Sequence, residues 1–101
     1  MSGAAIRRGA DDRLVVEGEL DFTTVVALLG DAQPLLEAGT DVRIDLQGIT
    51  RSDSAGLALL IEWMRTAQRL GKAIQFLNIP PQMLDIARVS SLDQVLPLSR
   101  G

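Results

Sequence analysis

Three short runs of alternation, residues 13–20 (RLVVEGEL), 42–46 (VRIDL) and 73–77 (AIQFL), are separated by stretches in which apolar residues recur every three or four positions. In the first run Leu14, Val16 and Leu20 share one face, opposite Val15, Glu17 and Glu19. In the second, Val42, Ile44 and Leu46 oppose Arg43 and Asp45, and in the third Ile74 and Phe76 pair on one face. A period of two marks strands with one face buried and one wetter, whereas a sheet covered on both faces needs continuous apolar runs. A weaker strand is expected at residues 4–8.

Helical spacing fills the gaps. Residues 23–38 place Val25, Leu28, Leu29, Ala32, Leu35 and Leu36 on a helix that Gly39 ends. Pro34 lies inside it and lacks the amide that would bond the Gly30 carbonyl, so a kink or break is expected there. A second helix, residues 54–70, stops at Gly71, with Arg65, Arg69 and Lys72 complementing the negative pole of its dipole. A third begins at Pro80-Pro81 and includes Met83, Ile86 and Ala87, and a final short turn or helix covers residues 92–98. The order β-β-α-β-α-β-α-α implies one α/β domain of α+β character over residues 1–101. Its expected architecture is a small mixed sheet with helices packed on one side.

Composition narrows the function. The chain has no His and no Cys, which removes the usual zinc and haem ligands, redox thiols, His acid–base chemistry and Cys nucleophiles. Its 101 residues fit one core, and 47% hydrophobic residues argue against disorder. Residues 1–50 carry nine acidic and four basic side chains, and residues 51–101 carry four and six. Neither half has the basic excess that a nucleic-acid surface requires, and Lys72 is the only lysine, so a polybasic lipid patch is absent. Residues 1–12 show no apolar run after their arginines, so no signal peptide is expected. The densest apolar stretch, residues 56–61, stops at Glu62, short of the roughly 20 residues that span a bilayer. These features favour a cytoplasmic binding or regulatory module, with no nucleic acid, no membrane insertion, no metal and no cofactor.

On the second helix, Ala58, Glu62, Arg65 and Arg69 form a narrow polar stripe. Leu57, Leu60, Ile61 and Met64 lie on one flank, and Leu59, Trp63, Thr66 and Leu70 on the other. The apolar arc is wider than a sheet alone requires. Either neighbouring helices bury the excess, or part of it, around Trp63 and Leu59, meets a protein partner. Residues 47–54 (QGITRSDS) read as a loop into this helix, with Asp53 or Ser54 as its N-cap. Capping is the favoured role from the residues alone, although a hydroxyl at a helix N-terminus is also well placed for phosphorylation. Glu19, Asp21, Asp45 and Asp53 fall at expected strand ends, where carboxylates could bind Mg²⁺. No phosphate loop accompanies them, so caps and solvated acids are the expected roles.

Four segments in order resemble the STAS domain family: Gly18-Glu19-Leu20-Asp21, Ile44-Asp45-Leu46, Asp53-Ser54-Ala55-Gly56-Leu57 and Leu70-Gly71-Lys72. The family includes anti-sigma-factor antagonists and the cytoplasmic tails of sulfate transporters. The resemblance implies a four-stranded mixed sheet with helices on one face. In the antagonists a partner kinase phosphorylates the serine at the position of Ser54. Residues 56–63 (GLALLIEW) and 76–84 (FLNIPPQML) look more like the MlaB branch, the STAS subunits of the Mla phospholipid ABC transporter. Antagonists usually carry G-L-G where this chain has Gly56-Leu57-Ala58, and they lack the tryptophan.

The MlaB resemblance implies a non-catalytic subunit peripheral to the inner membrane. It would bind the ATPase subunit of a complex that also holds permease and substrate-binding subunits and maintains outer-membrane lipid asymmetry. Carried over by position, the partner-binding residues are Arg51, Ser52, Asp53, Ser54, Ala55 and Gly56, flanked by Asp21, Phe22 and Thr23.

Overall fold

β1 (Ala4–Arg8) and β2 (Leu14–Leu20) pair antiparallel, with Ile6 opposite Val16. The structure, a computed structural model, describes residues 3–99. After β2 come α1 (Phe22–Glu37), β3 (Val42–Ser52), α2 (Ser54–Arg69), β4 (Ile74–Leu77), α3 (Pro81–Val89) and β5 (Leu98–Ser99). β2 through β5 are mutually parallel, and the strand order follows the chain, β1-β2-β3-β4-β5. Parallel neighbours need crossovers, and crossovers are almost always right-handed. Because every step across this sheet runs in one direction, the three helices fall on one face. Leu14, Val16, Ile44, Leu46, Ile74 and Phe76 supply that face, and the core cluster joins them to residues of all three helices.

The alternation seen at residues 42–46 continues further than expected. Residues 47–52 are not a loop: β3 runs on to Ser52. Leu14 pairs with Ile44, Glu17 with Gly48 and Glu19 with Arg51, so β3 gains two residues on β2 through two bulges. The buried positions therefore slip from Leu46 to Ile49 to Ser52, and the period of two is lost. The sheet also has five strands and not four. Residues 92–98, expected as a turn or helix, hold a 3₁₀ turn at Leu92–Gln94 and then the two-residue β5. β5 joins the edge through Phe76 N–H to the Pro97 carbonyl (2.9 Å) and Asn78 N–H to the Ser99 carbonyl (3.2 Å).

Pro34 does not break α1, which continues to Glu37 and closes with the Ala38 amide on the Pro34 carbonyl at 3.2 Å. Gly30 and Pro34 are both exposed, so water can satisfy the carbonyl that proline leaves without a donor. Lys72, beyond the end of α2, reaches back to α1. Its Nζ donates to the carbonyls of Leu36 (2.7 Å) and Glu37 (2.8 Å), which the helix leaves unbonded.

α2 lies between α1 and α3, and this settles its wide apolar arc. Leu59 and Trp63 are 0% and 1% exposed, so the partner-facing reading of that flank is overturned by helix packing. Leu57 and Leu60 are equally buried, while Ile61 and Met64 on the same flank are half-buried. Leu60→Ala is expected to lower stability by about 2–5 kcal/mol through a core cavity, and Ile61→Ala by less. Urea denaturation followed by the fluorescence of Trp63 checks both.

Candidate functional site

Three helices begin where three parallel strands end, so their N-termini gather along one edge of the sheet. β2 ends at Leu20, and Asp21 caps α1. Asp21 Oδ1 accepts from Thr24 N–H (2.9 Å), and Thr24 Oγ1 accepts from Asp21 N–H (3.0 Å), a reciprocal capping box. The Asp21/Thr24 spacing carried that signal, but the sequence reading did not use it. Asp53 caps α2, its Oδ1 accepting from Ala55 N–H at 2.8 Å, which makes Ser54 the first helical residue. The Asp53 amide donates to the Leu20 carbonyl at 3.2 Å, fastening the end of β3 to the end of β2.

Ser52 is tied more closely still. Its N–H donates to Gln82 Oε1 (3.1 Å), Gln82 Nε2 donates to its carbonyl (2.6 Å), and its Oγ donates to the Asp53 carbonyl (2.9 Å). One amide side chain from α3 thus pairs with the strand end as another strand would. Gly56 completes the packing. A Cβ there would run into Ser52 Oγ and lie 3.1 Å from the Leu20 side chain, so only glycine lets the first turn of α2 sit on the strand ends.

Between these ends and α3 lies a depression of about 520 Å³, lined by Glu19 to Asp21, residues 51–54, Gln82 and Ile86. Five expected residues line it: Asp21, Arg51, Ser52, Asp53 and Ser54. Arg51, Asp53 and Ser54 are exposed, as are Phe22 and Thr23 on the adjoining first turn of α1. Ala55 is half-buried, while Ser52 and Gly56 are buried and hold the others in place. Gln82 and Ile86 were not anticipated, because nothing local to the third helix marks them as neighbours of Ser52. The chain offers Ser54 no imidazole, and its only lysine is engaged at the end of α1. A hydroxyl with no base to activate it suits recognition better than nucleophilic chemistry.

Asp45 stands apart from this edge. It lies inside β3, not at a strand end, in the alternation opposite the core residues Ile44 and Leu46. Its carboxylate accepts from Arg13 Nη1 (3.0 Å), Gln47 N–H (2.9 Å) and Asn78 Nδ2 (3.3 Å). Burial pushes its pKa up, but the Gln47 amide, the Arg13 guanidinium and the Asn78 amide together outweigh that and hold it below the ordinary carboxylate value. Among the described residues, no three acidic side chains gather to hold a metal ion, and no helix is long and apolar enough to cross a membrane.

Comparison with known proteins bears on this site and this fold. Residues 4–98 match a family described as "Mlab, STAS domain". The chain is 24% identical over 89 residues to the anti-sigma-B factor antagonist of Bacillus subtilis (strain 168), covering 88% of this chain and 82% of that one. Among solved structures, an anti-sigma-factor antagonist (STAS) domain protein from Planctomyces limnophilus superposes with a TM-score of 0.72 at 18% identity, covering 99% and 91% of the two chains. The anti-sigma factor antagonist SpoIIAA in its unphosphorylated form superposes with a TM-score of 0.74 at 19% identity, covering 97% and 87%. At these identities the superpositions establish the fold.

The lowered pKa of Asp45 gives a pH dependence of definite sign. Its stabilisation is fully present above the unfolded carboxylate value near 4 and is lost as the pH falls through the lower native value. Asp45→Asn should cost about 1–3 kcal/mol at pH 7 by leaving Arg13 unpaired, and should flatten the acid limb of urea midpoints measured from pH 7 to pH 2. Gln82→Ala should speed hydrogen exchange at the Ser52 and Asp53 amides while leaving β1–β2 amides unchanged, as read by mass spectrometry.

Proposed function

Because the chain belongs to the STAS domain family, we propose that it is the non-catalytic STAS subunit of a phospholipid ABC transporter of the Mla type. In this reading it binds the cytoplasmic ATPase subunit through the depression around Ser54 and supports that subunit's assembly and activity. The observation that carries it is the match of residues 4–98 to the family described as "Mlab, STAS domain". The geometry is in keeping with that role. The site is an open, polar edge held by backbone hydrogen bonds, and the ATP-hydrolysing groups would belong to the partner. Ser54 is then a small contact residue, and the protein is peripheral to the inner membrane through its complex.

A second reading has its own support. The similarity to the anti-sigma-B factor antagonist favours a regulator switched by phosphorylation, with Ser54 exposed at the first position of α2. A phosphate there would gain from the helix dipole but would crowd Glu19, Asp21 and Asp53 around the same depression. Phosphorylation would therefore turn a mildly acidic surface strongly acidic and release a partner that tolerates only the neutral hydroxyl.

One experiment separates the two. The chain is co-purified with the ABC ATPase encoded beside it and, in parallel, incubated with a sigma-factor-inhibiting kinase and ATP. A stable ATPase complex supports the transporter reading. Kinase binding with phosphate on Ser54, and no ATPase complex, overturns it. Ser54→Arg is expected to abolish ATPase capture while leaving the thermal midpoint within about 2 °C of wild type, since Ser54 is an exposed surface position.

A further inference from the structure

The outer side of α1 differs from that of α2. Phe22, Val26 and Leu29 are 78%, 59% and 38% exposed, and their spacing of four and three sets them in one ridge along the helix. Ala27 and Gly30 beside them are also exposed, and a Cβ at Gly30 would meet nothing within 4 Å. α2 by contrast turns Glu62, Arg65 and Arg69 toward solvent. The ridge begins at the helix cap Asp21, which also lines the depression with Glu19 and Asp53. An apolar ridge and an acidic hollow therefore form one continuous surface.

Its charge is one-sided. Between Arg13 and Arg43 the chain has no Lys or Arg, yet it carries Glu17, Glu19, Asp21, Asp31, Glu37 and Asp41. We propose that the α1 ridge and the hollow at its N-terminal end seat an apolar helix of the partner protein, with basic side chains on that helix facing Asp31 and the hollow. This rests on the reading that the partner is the transporter ATPase, and it names a contact surface beyond Ser54. A second copy of this chain is a poor occupant. A helix of this length presents a strip of roughly 24 by 10 Å, well under the about 800 Å² per side of a stable interface. Two copies would also bring Asp31 and its acidic neighbours together. Anionic lipid is disfavoured by the same charge. A partner already held at Ser54 needs only the added strip, and the exposed Ala27 and Gly30 allow a neighbouring helix to approach closely.

The test is binding of the full chain to the ATPase encoded beside it, measured by calorimetry at low and high salt, with each variant's fold checked by circular dichroism. Val26→Glu should weaken binding by about tenfold or more and Asp31→Lys by several-fold, both with native spectra, and wild-type affinity should fall as salt rises. If Ser54→Arg loses binding while Val26→Glu and Asp31→Lys bind as wild type, the ridge proposal is overturned and the transporter reading stands. No wild-type binding at all overturns both. A concentration-dependent dimer in sedimentation velocity that Val26→Glu abolishes would make the occupant a second copy, and this too overturns the proposal.

Discussion

Everything at the candidate site hangs on the end of β3. Ser52 gives its amide and its carbonyl to the single side chain of Gln82, and Asp53 gives its amide to the last residue of β2. Strand ends normally fray, because their outermost backbone groups have no ladder partner. Here α3 supplies that partner from across the sheet, and the helix start that carries Ser54 inherits the rigidity. Gly56 is the matching concession on α2, where any side chain would lift the first turn off Ser52 and Leu20. A surface built this way is formed before a partner arrives, so less ordering entropy opposes binding.

The topology explains why the site lies at an edge and not in a crevice. Strand order never reverses across the parallel part of the sheet, so no switch point opens between two helices on opposite faces. What remains is a row of helix N-termini at the ends of β2, β3 and β4, two of them already capped by Asp21 and Asp53. Those carboxylates occupy amides that could otherwise bind a phosphate, and they leave the edge acidic. Recognition of a protein surface fits such an edge better than capture of an anion. The opposite face of the sheet is closed in another way, since Asp45, Arg13, Gln47 and Asn78 satisfy one another there.

Legibility in the sequence followed the physics of periodicity. β1, β2, the first half of β3 and β4 were visible because each keeps a period of two against one buried face. The second half of β3 was not, because two bulges shift its buried positions to Ile49 and Ser52. β5 is two residues long and has no period to detect. Pro34 suggested a break that solvent exposure makes unnecessary, and Trp63 suggested a partner that α1 and α3 replace. At the site, Asp21, Asp53 and Ser54 were recognisable from motif order. Gln82 was not, since its bond to Ser52 spans 30 residues and leaves no local trace.

The central claim is that the edge around Ser54, preformed by Ser52 and Gln82, is the surface by which this STAS domain engages the transporter ATPase. Titrating the isotope-labelled chain with that ATPase and following its backbone amide resonances tests this most directly. The account predicts perturbations concentrated at residues 19–29 and 51–57, with the amides of Val15, Asp45 and Gln75 on the open face of the sheet unmoved. Perturbations centred on that open face, with residues 51–57 silent, would contradict it.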